Sequence, residues 1–162
     1  MKVKGFDGRG AAVMAPLVRL VRVGVVREVG APAPAPHGPA PVLEPGRAAS
    51  ILRAVLPADR EGFAVLHLDA RSVVRSVEVV SVGSLNASIV HPREVFKGAL
   101  LANACAIILG HNHPSGDPEP SAEDIAITKR LVQIGELIGI VVLDHVIIGE
   151  GRHVSLHERG TL

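Results

Sequence analysis

The sequence predicts an α/β fold in which a sheet of mixed strand direction is flanked by helices. Short apolar runs alternate with segments of helical periodicity along most of the chain. At 162 residues the chain is long enough for one domain with a hydrophobic core. Because only three residues are aromatic, Val, Leu, Ile and Ala have to build that core. The expected order of elements is β-α-β-β-α-β-α-β-β.

The first 45 residues differ in composition from the rest. Leu17–Val29 alternates apolar and polar positions and is predicted to be a strand. Ala31–Pro45 holds six prolines and is typical of a semi-rigid linker without a core of its own. We therefore divide the chain into an N-terminal strand plus linker, residues 1–45, and a folded domain, residues 46–162. Whether the strand docks on that domain or serves a partner stays open.

The first half of the domain is predicted to contain two helices and a strand pair. Gly46–Leu56 has an apolar face and is predicted to be a helix. Two apolar runs, Glu61–Asp69 and Ser72–Val82, are separated by a short turn and are expected to pair antiparallel. Gly83–Ile89 is expected to be irregular. Pro92–Ala104 then shows helical spacing with Pro92 in the first turn.

The second half is predicted to contain a central strand, a long helix and two final strands. Ala104–Gly110 is a short apolar strand. Ser121–Ile138 has a largely apolar stripe and is closed by Gly139, a common C-terminal cap. Ile140–Ile148 and His153–Leu156 are predicted to be the last strands.

Candidate metal ligands follow the central strand. His111 and His113 are two residues apart, so their imidazoles leave one face of a continuing strand. A loop stiffened by three prolines leads to Ser121, and Asp124 lies about one helical turn further on. Two imidazoles and a carboxylate are ligands that zinc accepts, and a catalytic zinc keeps its fourth position for water. The spacing therefore predicts a zinc site made of His111, His113 and Asp124.

A structural interpretation of the same residues also exists. Ser121 is a good N-cap, and Asp124 at the third helical position completes a capping box. Capping leaves the His-x-His pair unexplained, so we favour metal binding. Asn112 points away from the two histidines in a regular strand and is assigned a structural role. Asp117 precedes a proline and is assigned to a turn.

The spacing His-x-His, seven residues, Ser-x-x-Asp resembles the JAMM (MPN-type) metalloprotease motif. The fuller string HNHPSGD-x-x-PS-x-x-D, with Val90–Glu94 upstream and Leu143–His145 downstream, resembles the RadC-type JAB domain of bacteria. The resemblance covers roughly residues 46–162 and implies the JAB/MPN, cytidine-deaminase-like architecture. It also implies a zinc-dependent hydrolase of peptide or isopeptide bonds.

The resemblance further implies a general base and a hydrogen-bond donor. In the family a glutamate on the strand after the first helix activates the zinc-bound water, which matches Glu61 here; Glu78 on the next strand is the competing candidate. The matching serine, Ser121, is expected to help stabilise charge on the substrate's carbonyl oxygen. His145 is either a partner of the metal ligands or a satisfied core histidine.

Composition and charge restrict the alternatives. One cysteine, Cys105, excludes an intramolecular disulfide, fits a reducing cytoplasm and is expected to be buried. No apolar run is long enough for a membrane span, and the first residues lack a signal peptide's features.

Net charge is near zero, although six basic residues precede residue 30 and could meet phosphates. The resemblance to RadC-type proteins also implies an alternative function, a non-enzymatic or DNA-repair-associated metal-binding module. Against it, the proline-rich segment replaces the helix-hairpin-helix region of fuller relatives.

Overall fold

The computed structural model describes residues 5–6, 12–13, 41–42, 44–83 and 90–162. Within these ranges the helices are α1 (Pro45–Val55), α2 (Pro92–Leu101) and α3 (Ala122–Ile138). A short antiparallel pair is formed by β1 (Gly5–Phe6) and β2 (Ala12–Val13). The main sheet consists of β3 (Gly62–Leu68), β4 (Val74–Val82), β5 (Ala106–Asn112), β6 (Val141–Ile148) and β7 (His153–Ser155). This arrangement confirms the predicted α/β fold with a mixed sheet.

Strand β5 lies at the centre of the sheet, whose order is β4-β3-β5-β6-β7. It pairs antiparallel with β3 and parallel with β6, and all seven of its residues are buried. Helix α3 makes the crossover that a parallel pair requires. The predicted antiparallel pairing of β3 with β4 is confirmed. The end of β5 is therefore held on both sides by neighbouring strands.

The helices cover both faces of the sheet, and each face has its own core. Helix α1 packs on one face, where its fully buried Leu52 joins a cluster that includes Leu66, Ile108 and Val146. Helices α2 and α3 cover the other face over a cluster that includes Phe63, Val65, Val95, Leu109 and Leu131. Because side chains alternate along β5, its last residues also alternate between these faces.

Several predicted boundaries were wrong by two or three residues. Strand β5 continues through Asn112 instead of ending at Gly110, because its last residues pair with β3 and β6. Helix α2 ends at Leu101 because Asn103 adopts a left-handed conformation with a φ of 50°. Cys105 precedes β5 and is exposed, which corrects the expectation that it is buried.

The N-terminal region contributes to the domain from Val42 onward. Val42 is buried in the α1-side core, and its amide donates to the carbonyl of Ser72 at 2.7 Å. A residue of the predicted linker is thus part of the domain's packing. The predicted strand Leu17–Val29 and residues 84–89 of the predicted irregular segment lie outside the described residues, so the division at residue 45 stays a prediction. None of the helices in the described ranges has the length and hydropathy of a membrane span.

Candidate metal centre

His111 and His113 lie at the end of β5, on the face covered by α3. His111 is the next-to-last residue of the strand, pairs with Ile147 in β6 and is only 1% exposed. The His113 amide donates to the carbonyl of Ile148 at 2.9 Å, which extends the pairing just past the strand. The ring of Phe63 is stacked on that of His111, with centroids 6.3 Å apart. The two imidazoles therefore project from a rigid strand end, with His111 buried and His113 partly exposed.

The loop after His113 is fixed against the turn between β6 and β7. Gly116 has a φ of 82°, and its carbonyl accepts from the Glu150 amide at 2.9 Å. A side chain at Gly149 would collide with the Gly116 carbonyl, so glycine permits this close approach. Arg159 makes two hydrogen bonds of 2.6 Å with the Glu119 carboxylate. The loop thus delivers the start of α3 to a defined position beside the histidines.

Asp124 is fixed by the capping box that the sequence predicted. The Ser121 oxygen accepts from the Asp124 amide at 3.1 Å, while Oδ2 of Asp124 accepts from the Ser121 amide at 2.8 Å. The Ser121 hydroxyl also donates to Oδ2 at 2.6 Å. These bonds leave Oδ1 of Asp124 to face His111. Capping and ligand positioning are therefore two results of one arrangement.

The three side chains form a group that could hold a metal ion. Nε2 of His111 lies 2.9 Å from Nε2 of His113 and 3.2 Å from Oδ1 of Asp124. Nε2 of His113 lies 3.5 Å from Oδ2 of Asp124. Ligand atoms of a tetrahedral zinc site, each about 2.0–2.1 Å from the metal, are roughly 3.3–3.4 Å apart. The observed spacing is close to that geometry.

Asp124 is ionised, as a metal ligand must be. Burial opposes its ionisation, but the hydrogen bond and positive charge of His111 and the bonds from Ser121 hold the pKa of Asp124 well below its usual value. A positive charge between the three side chains is thus strongly favoured. A proton and a metal ion compete for that position.

His145 determines which nitrogen of His111 faces the group. Complete burial, and then the charge at His111, keep the pKa of His145 well below its usual value, so the ring is neutral. The Thr128 hydroxyl donates to the Asp124 backbone carbonyl, so its oxygen accepts from Nδ1 of His145 at 2.6 Å. Nε2 of His145 is then bare and accepts from Nδ1 of His111 at 2.8 Å. Nε2 of His111 is left facing the group, where it could bind a metal ion.

His113 is oriented in the same sense by the loop. Its Nδ1 lies 2.8 Å from the backbone carbonyl of Asp117, which can only accept, so Nδ1 carries the proton. Nε2 of His113 is therefore the second imidazole nitrogen that could bind a metal ion. Metal-binding histidines usually donate their other nitrogen to such a partner. The donor set and its surroundings fit a bound metal ion.

We predict that Thr128→Val weakens binding of Zn²⁺ by roughly 10–100-fold, the usual effect of removing a partner of a metal ligand. Valine keeps the shape of threonine but cannot accept from His145, so the proton order along His145 and His111 is lost. Thr128→Ser, which keeps the hydroxyl, should bind nearly as tightly as the wild type. Competition with a chelator measures both, and Thr161→Val is the matched control. Equal affinity in Thr128→Val and wild type would show that the hydroxyl does not orient the ligands.

One family of known proteins matches most of the chain. The RadC-like JAB domain family matches residues 42–161. The chain belongs to this family. A UPF0758 protein of Methanosarcina acetivorans is 59% identical over 101 residues, which are 62% of this chain and 44% of that protein. A UPF0758 protein of Moorella thermoacetica is 58% identical over 104 residues, 64% of this chain and 45% of that protein. The chain spans less than half the length of these relatives.

The RadC-like JAB domain brings Ser121 to the group of three side chains and leaves Glu78 elsewhere. Ser121 lies beside Asp124, but its hydroxyl donates to that carboxylate. Glu61 precedes β3, two residues before Phe63, and is partly buried. Glu78 pairs with Val65 and faces His67, with Oε2 and Nε2 3.8 Å apart. The roles of Glu61 and Ser121 in catalysis stay predictions.

Two contributors to the centre were missed or left undecided by sequence reasoning. Thr128 was not recognised, although it follows the candidate ligand Asp124 by one helical turn, a spacing that could have identified it. The position of His145 required knowledge of the β5–β6 register, which pairs it with Leu109, two residues before His111. The loop carbonyl of Asp117 carried no signal, since any residue has one.

Proposed function

We propose that this RadC-like JAB domain is a zinc-dependent hydrolase of amide bonds, a peptidase or isopeptidase. The observation that carries the proposal is the convergence of Nε2 of His111, Nε2 of His113 and Oδ1 of Asp124 while both Nδ1 atoms are already engaged. Three protein ligands leave a fourth position for water, which is the pattern of catalytic zinc sites. A purely structural zinc site would have four protein ligands.

The donor set supports zinc as the metal. Imidazole nitrogens suit zinc better than the hard cations Mg²⁺ and Ca²⁺, which prefer oxygen ligands. One carboxylate with two histidines is a ligand combination found in zinc hydrolases. When bound by these residues, zinc would act as a Lewis acid that lowers the pKa of a water to about 7.

Glu61 is proposed as the general base, which takes a proton from the attacking water and returns it to the leaving amine. In the antiparallel pairing of β3 with β5, Phe63 lies opposite His111. Extending that register by two residues sets Glu61 opposite His113. Because side chains alternate, Glu61 then shares the face of Phe63 and His111. This placement supports a carboxylate beside the two imidazoles.

The surroundings of Glu78 argue against its being the base. Its neighbour Val65 pairs with Leu109, which lies four residues before His113 in sequence. At about 3.3 Å per residue this is roughly 13 Å along the strand direction. Glu78 also packs against Gly98 of α2. This helix precedes the start of β5, whereas His111 and His113 lie at the end of that strand. A general base has to lie within hydrogen-bond reach of the water, directly or through one more water.

Ser121 is proposed to stabilise negative charge on the substrate's carbonyl oxygen. It is the N-cap of α3, where the helix dipole and free amides favour negative charge. Its hydroxyl would have to turn from Oδ2 of Asp124 toward the substrate. The bond from the Ser121 amide to the same oxygen would still hold the carboxylate.

The substrate is proposed to be a peptide or an isopeptide-linked protein. A cavity of about 480 Å³ opens next to His113 and is lined by apolar side chains of Leu56, Pro57 and Ile148, with Arg53 and Glu150 among its charged residues. Such a mixed surface suits a polypeptide segment better than a small charged molecule.

The six basic residues before residue 30 lie outside the described residues, so contact with nucleic acid stays an alternative. We place the protein in the cytoplasm, since a single cysteine fits a reducing compartment.

Elemental analysis followed by a substrate screen tests the proposal. We expect about one zinc per chain, removable with a chelator and restored by added Zn²⁺. Libraries of peptide and isopeptide substrates should then show turnover that the chelator abolishes and zinc restores. A protein that binds zinc but cleaves no member of either library would favour the metal-binding module. A protein that binds no zinc would contradict both.

A further inference from the structure

Asn112, which separates the two histidines, makes three hydrogen bonds on the opposite face of the sheet. Its Oδ1 accepts from the Gly62 amide at 2.8 Å. Its Nδ2 donates to the carbonyls of Pro57 and Arg60, both at 2.9 Å. These partners fix the orientation of the Asn112 carboxamide, because Oδ1 can only accept from the Gly62 N–H and Nδ2 can only donate to the two carbonyls. Asn112 is 7% exposed; its bond to the Gly62 amide is buried, and its bonds to the two carbonyls are partly buried.

The partners of Asn112 lie on both sides of Glu61. The Arg60 carbonyl comes directly before Glu61, and the Gly62 amide comes directly after it. The Glu61 carbonyl itself accepts from the Gly83 amide at 2.8 Å. Residues 56–61 contain no regular helix or strand, so their own secondary structure does not hold them. The backbone of Glu61 is therefore held by a side chain from β5 and an amide that directly follows β4.

We infer that Asn112 is a positioning residue that fixes Glu61 relative to the two metal-binding histidines. The inference rests on the proposed function, in which Glu61 is the base. The consecutive residues His111, Asn112 and His113 at the end of β5 supply both imidazoles and the side chain that holds the Glu61 backbone. The proposed base and the proposed ligands therefore share a single rigid support. A misplacement of about 1 Å in a reacting group can lower a rate by roughly 100-fold, so such an anchor has a clear catalytic value.

The chemistry of asparagine explains why this side chain is used. The anchor needs one acceptor and two donors at the end of a short side chain, which the carboxamide provides. Aspartate has the same shape but no donors, and would place an oxygen against two carbonyl oxygens. Alanine would leave the Gly62 amide and two carbonyls without their partner.

Amide hydrogen exchange in the zinc-loaded full chain tests the inference without any substrate. In Asn112→Ala the Gly83 amide, which bonds to Glu61, should exchange roughly tenfold faster or more, because the Glu61 backbone opens more often. The Gly62 amide should also speed up. The His113 amide, bonded to Ile148, should not change, and zinc affinity should stay within about threefold of wild type. Ser76→Ala, which removes a side-chain bond to His67 in the same sheet, is the matched control.

Unchanged exchange at Gly83 would overturn the inference, since Asn112 would then hold the loop and not the base. Loss of zinc from Asn112→Ala would also overturn it, because the side chain would be supporting the ligands. Should Asn112→Ala fail to fold, the measurement is made on Asn112→Ser. A failure of both proteins to fold would also overturn the inference, because Asn112 would then hold the domain as a whole and not Glu61 in particular.

A double-mutant cycle connects the inference to catalysis. We expect Asn112→Asp to lower kcat by roughly 10–100-fold in the wild-type background and by much less in a Glu61→Gln background, because the anchor acts through Glu61. A full effect in the Glu61→Gln background would overturn the positioning role. If Glu61→Gln itself has no effect, the assigned base fails, while the exchange of the Gly83 amide still decides whether Asn112 holds this segment.

Discussion

The Glu61→Gln protein is expected to hydrolyse its substrate roughly 10²–10⁴-fold more slowly than wild type, the usual contribution of a positioned general base. Glutamine keeps the size and polarity of glutamate but cannot take up a proton at neutral pH. Zinc content and thermal stability should stay near wild type, because Glu61 is not one of the three grouped ligands. The measurement is kcat on a substrate from the library screen, with zinc determined on the same sample.

Glu78→Gln is the matched control for this experiment. Burial, with a smaller effect of Glu94, raises the pKa of Glu78, although Lys97 opposes the shift. A carboxylate with a raised folded-state pKa favours the fold only while protonated, so its ionisation destabilises the fold as pH rises. Glu78→Gln should therefore keep its activity and gain stability relative to wild type between pH 5 and pH 8, a range chosen to bracket that ionisation.

The opposite outcome would reassign the base. If Glu78→Gln abolishes turnover and Glu61→Gln spares it, Glu78 is the base. Strand β4 would then have to pair with β3 in a different register, one that brings Glu78 closer to the metal. Equal losses in both proteins, without loss of zinc, would indicate that the water is activated by neither glutamate alone.

Local sequence signals were sufficient for the helices and strands of the main sheet and for the grouping of the three candidate metal ligands. The short apolar run of β3 and the caps of α3 depend on neighbours within about four residues, so they can be recognised from the sequence alone. The grouping of His111, His113 and Asp124 follows from one strand end, one short loop and one helix start. All three features lie within fourteen consecutive residues.

The surroundings of these ligands depend on contacts that are distant in sequence. His145 reaches His111 across 34 residues, and Asn112 reaches Arg60 across 52. These contacts depend on the pairing of β5 with both β6 and β3, including a register shift between Ile107 and Ile108. The spacing of side chains along one strand carries no information on how that strand is aligned with its neighbours in the sheet. This is why Asn112 could be assigned only a general structural role from the sequence.

The Asp124→Asn protein is expected to lose zinc, with an affinity more than roughly 100-fold below wild type, beyond the usual effect of removing an outer partner. The asparagine oxygen can still accept from the Ser121 amide, so the capping box survives in part. What is lost is the negative charge facing His111. His113→Ala should give the same result by removing an imidazole. Chelator competition and elemental analysis after dialysis measure both.

Glu123→Gln separates the ligand effect from the helix effect. It removes one negative charge from the same first turn of α3, but Glu123 is exposed and lies outside the metal group. If zinc binds only the folded state, a zinc concentration of about 100 times the Kd stabilises that state by about 2.7 kcal/mol. Added zinc should therefore raise the thermal midpoint of wild type and Glu123→Gln, and leave that of Asp124→Asn nearly unchanged. If Asp124→Asn and His113→Ala instead hold one zinc as tightly as wild type, the metal lies elsewhere, and the capping box alone explains Ser121 and Asp124.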